Sequence, residues 1–91
     1  MFPIQFGYCL PIFAWPSARM FRTPGFAALD PQRCMALGAL AEALGYDSIW
    51  AADHLMLGQD DAILQGWTTL AAIAGMTRRA KLGIIHYNNV F

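Results

Sequence analysis

Asp53 and His54 stand side by side directly after the apolar run Tyr46-Asp47-Ser48-Ile49-Trp50-Ala51-Ala52. A carboxylate can hold a neighbouring imidazole in one tautomer, and a histidine exchanges protons near neutral pH. The run before them, bounded by Gly45, reads as a buried strand. Parallel α/β folds build their sites where such strands deliver side chains at their carboxyl ends. The plainer alternative stays open: Asp53 caps the next turn and His54 is a satisfied polar residue. His86, in an apolar stretch, is either a ligand contact or a buried, hydrogen-bonded histidine. Asp60 and Asp61 are adjacent acids without further oxygen ligands, so a solvated loop pair is expected there before a cation site. Cys9 and Cys34 show no CxxC spacing and are expected to be packing residues in the core.

The elements that must position these residues follow in a regular order. Phe6, Tyr8, Leu10 and Ile12 alternate with Gly7, Cys9 and Pro11, which predicts a first strand over 5–12. Neither side of it carries a charge, so both faces can be covered, as in a parallel sheet. Phe13 to Leu29 has no periodicity. Trp15, Phe21 and Phe26 lie there with Arg19 and Arg22, as in a binding loop over an apolar, anionic ligand or in a loop packed on its scaffold. Asp30-Pro31 is a helix start, and Gly45 a helix stop. Leu37, Leu40, Ala41 and Leu44 mark the apolar face between them. A connection over Leu55 to Gln65 leads to a second helix over Trp67 to Thr77. Leu70, Ala71 and Ala74 form its face, Ile73 and Met76 widen it, and its small residues allow a close approach to a sheet. Arg78-Arg79-Ala80-Lys81 is a polar turn that places cations near that helix's C-terminus, and Leu82 to Tyr87 is a third strand.

The pattern is βαβαβ, which implies parallel strands joined by right-handed crossovers. No G-x-G-x-x-G follows the first strand and there is no P-loop, so the (β/α)8 TIM barrel is favoured over the doubly wound sheet. A barrel needs roughly 250 residues, whereas this chain has 91. Residues 1–91 therefore read as the N-terminal third of one barrel domain, truncated after the third strand. With its faces and edges uncovered, such a piece is expected to aggregate or fold partially.

Composition narrows the partners. Six Lys and Arg balance six Asp and Glu, so nothing favours nucleic acid or an anionic membrane surface. No apolar run approaches the roughly 20 residues of a spanning helix, and the start lacks the basic region of a secretory signal. A cytoplasmic chain is expected.

Three stretches resemble the bacterial luciferase-like flavin-dependent monooxygenases. They are Phe6-Gly7-Tyr8-Cys9-Leu10-Pro11, the run from Ala41 through Gly45-Tyr46-Asp47 to Asp53-His54, and the run from Leu70 through Thr77-Arg78-Arg79 to Leu82-Gly83. The resemblance implies a barrel that binds reduced FMN, or in one branch a deazaflavin, at the carboxyl ends of its strands. It implies oxidation of a small organic substrate with O2, a separate flavin reductase as partner, and a homodimer for the full-length protein. Asp53 and His54 would lie beside the flavin ring, with His54 catalytic. The end of the third strand at Ile85 and His86 would pass along the ring, with a non-proline cis peptide about there, and Asn88 would meet its polar edge. Two other functions fit the same residues: deazaflavin-dependent hydride transfer, and a catalytically silent flavin-binding subunit.

Overall fold

The computed structural model describes residues 3–12, 29–53 and 63–86. Its elements are β1 (Gly7–Cys9), α1 (Pro31–Ala43), β2 (Ser48–Ala52), α2 (Gly66–Ala74) and β3 (Lys81–Ile85). The strands form one parallel sheet in the order β1-β2-β3, with Cys9 opposite Trp50 and Trp50 opposite Gly83. Helix α1 packs on β2 and on α2, and α2 packs on β2 and β3, so both helices cover the same face of the sheet.

Local chemistry sets the element ends. The Asp30 carboxylate accepts the Arg33 N–H at 3.0 Å, and Pro31 occupies the first turn of α1, where its missing donor is not needed. At the other end the Gly45 N–H donates to the Glu42 carbonyl and the Tyr46 N–H to the Ala41 carbonyl. This is a Schellman closure, and Gly45 adopts the φ of 95° that it requires. Helix α2 is capped by the Gln65 side chain, which accepts the Thr68 N–H at 2.7 Å. The buried hydroxyls of Thr69 and Thr77 donate to the Gln65 and Ile73 carbonyls, four residues back.

Between helices and sheet lies one core, built on Leu10, Ile12, Cys34, Ile49, Leu70 and Ile73. Burying an aliphatic side chain of this size contributes about 1.5–3 kcal/mol. Cys34 is fully enclosed, and burial, with Cys9 nearby, pushes its thiol up to about 11. It is a packing residue, inert as a nucleophile at neutral pH.

The structure corrects several expectations. Regular pairing in β1 covers three residues instead of eight, although Leu10 still donates to the Trp50 carbonyl at 2.8 Å. The pairing stops because the Ile12 N–H, next in line to face β2, turns back to the Leu10 carbonyl at 3.0 Å. Leu10 and Ile12 are buried while Gly7, Cys9 and Pro11 are exposed, so among the described residues only one face of the strand is covered. Cys9 is thus not a core residue. Helix α1 buries Cys34, Gly38 and Ala41, not the leucine stripe; Leu40 is 49 % and Leu44 69 % exposed. The reason is close approach: a Cβ on Gly38 would collide with the Ile73 side chain, so α2 rests on the smallest side of α1. Helix α2 buries Thr69, Leu70 and Ile73, while Ala71, Ala74 and Met76 face out. Its close contact with the sheet is made by Gly66, where a Cβ would sit 2.8 Å from the Ala52 carbonyl oxygen. Strand β3 starts one residue early and ends at Ile85. His86 lies beyond it, exposed, and is not a buried core histidine. Phe13 to Ala28, Asp60, Asp61 and Tyr87 lie outside the described residues.

Candidate active site at the carboxyl ends of the strands

Strand β2 alternates strictly: Ile49 and Ala51 point into the core, and Trp50 points to the opposite, open face. Trp50 is 38 % exposed there, and its indole lies across the sheet. A Cβ on Gly7 would stand 2.7 Å from Nε1, and a Cβ on Gly83 would collide with the six-membered ring. The indole N–H donates to Ser48 Oγ at 2.8 Å, which fixes the ring's orientation. Two residues further along the same face come Ala52 and, opposite it in register, Ile85.

Asp53 follows immediately. It is 5 % exposed, and its N–H donates to the Ile85 carbonyl at 3.2 Å, carrying the pairing one step past the last registered pair. The sheet end therefore brings Asp53 together with Ile85 and His86. His86 has a φ of 56°, in the left-handed region that side chains with a Cβ seldom adopt. Such backbone angles concentrate where a chain must re-aim a side chain at a functional site. His54 and Asn88 lie outside the described residues. Among the described residues no group of three or more His, Cys, Asp or Glu could hold a metal ion.

A groove of about 340 Å³ lies elsewhere, between α1 and α2, against Pro31, Met35, Leu64 and Thr68. Its lining carries no titratable side chain, so it can select a shape but cannot move a proton.

The sequence model of the luciferase-like monooxygenases matches residues 4–89. The chain belongs to this family. Its members are flavin-dependent oxidoreductases built on a (β/α)8 barrel, and the parallel β1-β2-β3 wall with helices on one face is consistent with that fold. No curated protein and no solved structure matches the chain. Among the described residues no helix of this luciferase-like chain is long and apolar enough to cross a membrane.

The residue types at this end are ones that a flavin would need. A planar ring system needs an apolar wall, hydrogen-bonding groups at its polar edge and exclusion of water. Ala52 and Ile85 offer the wall, and Asp53 a carboxylate at the rim. Two features escaped the sequence reading. The indole plate of Trp50 was hidden because a tryptophan in a short apolar run reads simply as core; its signal was the pair of glycines, Gly7 and Gly83, on either side. The second is Glu42, an acid in the last turn of α1, where the helix field disfavours negative charge. A side chain at the wrong end of its helix has a partner elsewhere, and here it is the 78–80 turn.

Proposed function

We propose that this chain supplies the first three strands and two helices of a luciferase-like barrel that uses reduced FMN and O2 to oxidise a small organic substrate. The observation that carries the reading is the meeting of Asp53 with Ile85 and His86 at one sheet end, in a chain whose family is flavin-dependent. When bound, the reduced flavin would supply the electrons that activate oxygen. Asp53 would accept from a ring or ribityl donor, or hold His54 in one tautomer. His54 would deliver or take a proton near neutral pH. Ile85 and His86 would line the ring, and the Asn88 amide would meet its polar edge. The open face with Trp50 would be the barrel interior, covered by later strands. A separate reductase as the source of reduced flavin, a homodimer and a cytoplasmic location complete the proposal.

The test uses the complete gene product. Purified protein given reduced FMN should consume oxygen in step with substrate oxidation, and the FMN-loaded form should show the flavin's visible bands. Selective uptake of a deazaflavin, with hydride transfer and no oxygen consumption, would replace this reading by the other branch. Binding without turnover, unaffected by His54→Ala, would reduce the protein to a flavin-binding subunit.

A further inference from the structure

At the opposite end of the sheet, three successive backbone N–H groups converge on one carboxylate. Arg78 N donates to both Glu42 oxygens, at 3.0 and 3.1 Å, and Arg79 N and Ala80 N each donate to Oε2 at 2.7 Å. The Arg79 guanidinium reaches back to α1 and the turn after it, donating to the Glu42 carbonyl at 2.9 Å and the Tyr46 carbonyl at 3.1 Å. Consecutive amides aimed at one anion make a nest, the backbone arrangement that cradles phosphates and other oxyanions. The 2.7 Å contacts are in the range of charge-assisted hydrogen bonds. Helix preference does not put the acid there, because the last turn of a helix disfavours negative charge. The amides of the turn do.

We infer that the 78–80 turn is an oxyanion receptor whose resident ligand is the chain's own Glu42 carboxylate. Glu42 is thereby a positioning residue: it fixes the start of β3, and through β3 the placing of Ile85 and His86. With the carboxylate withdrawn, the turn keeps three converging donors and Arg79, and it takes a small carboxylate such as formate or acetate instead. This inference does not rest on the flavin reading, because it is read from stability alone and concerns the other end of the strand.

The experiment is a chemical rescue in the complete gene product. Thermal midpoints of wild type, Glu42→Ala and Ile73→Val are measured in sodium formate and in sodium chloride at equal ionic strength. Ile73→Val is the control, destabilised by packing alone. Glu42→Ala should melt several degrees lower than wild type, and formate should recover much of that loss in a saturable way. Wild type and Ile73→Val should respond to the two salts alike. An undiminished midpoint in Glu42→Ala, or a loss that formate restores no better than in Ile73→Val, overturns the inference. If Glu42→Ala does not fold in chloride, refolding in formate should recover soluble protein, and failure to do so counts against the receptor. Glu42→Gln keeps an acceptor oxygen without the charge and should melt between the other two; a midpoint equal to wild type would show that no anion is required.

Discussion

Asp53 joins the two halves of the candidate site, because its backbone holds Ile85 while its side chain sits buried at the rim of the sheet. Asparagine in its place keeps the volume and removes the negative charge. A hydrogen bond involving a charged group contributes about 1.5–3 kcal/mol, so Asp53→Asn should weaken FMN binding by roughly tenfold or more. Trp50 gives a second test at the same scale. Gly83→Ala would drive a methyl group into the indole, which can escape only by tilting off the sheet. Overpacking of this kind costs about 1–3 kcal/mol. It should appear as a lower melting midpoint with a shifted tryptophan emission, whereas Trp50→Phe with Gly83→Ala should recover stability over Gly83→Ala alone. The place of Asp53 at the end of β2 was legible in the sequence because the apolar run before it stops there, while His54 lies outside the described residues. The indole plate was not, because it depends on two glycines far apart in the chain that only strand register brings to its sides.

Among the elements, the best-read features were those with local causes. Asp30-Pro31 and Gly45 announced the limits of α1 because caps act within a turn, and the βαβαβ order followed from the breaks between apolar runs. The buried face of each helix was read only in part: Ala41, Leu70 and Ile73 are buried as expected, but the neighbour decides the rest, since Gly38 of α1 admits Ile73 of α2 and the larger Leu40 and Leu44 are turned aside. Replacing Ile73 by alanine in this contact should therefore cost about 2–5 kcal/mol, measured by denaturant unfolding. The clasp between α1 and β3 predicts a pH dependence. The backbone N–H groups of Ala80, Arg79 and Arg78, with the Arg79 charge adding to them, hold the Glu42 carboxyl below the usual carboxylate range. A folded-state value below the unfolded one means that the contribution is complete above the ordinary glutamate value of about 4.3 and is lost as pH falls through the folded value. Between neutral pH and the acid limb, wild type should lose more stability than Glu42→Gln, and the two midpoints should converge in acid. Parallel curves over that range would contradict the clasp.

For the whole molecule, the described residues form a two-layer wedge with one bare sheet face. Trp50 and Cys9 lie open on that face, and Leu40 and Leu44, at the end of α1, lie exposed beside Tyr8 and Tyr46. Large apolar side chains grouped in this way mark surfaces that other elements cover. If further barrel strands and helices cover them, the 91-residue chain by itself should associate as its concentration rises, which sedimentation would show. A sharp, concentration-independent melt of a monomer would contradict the proposal that this is the first part of a barrel. The low charge of the sequence already pointed this way, since a small autonomous domain exposes much of its surface. The identity of what covers the sheet lies in long-range packing and has no signature within these residues.

The central claim is that the carboxyl ends of β2 and β3 hold a flavin. It is tested most directly by titrating FMN into the complete gene product and its Asp53→Asn variant, with thermal melts to show that both are folded. The account predicts saturable binding by wild type, with the flavin's visible bands perturbed, and binding weakened roughly tenfold or more in the variant. Folded wild-type protein that takes up neither FMN nor a deazaflavin, or an Asp53→Asn variant that binds as tightly as wild type, would contradict it.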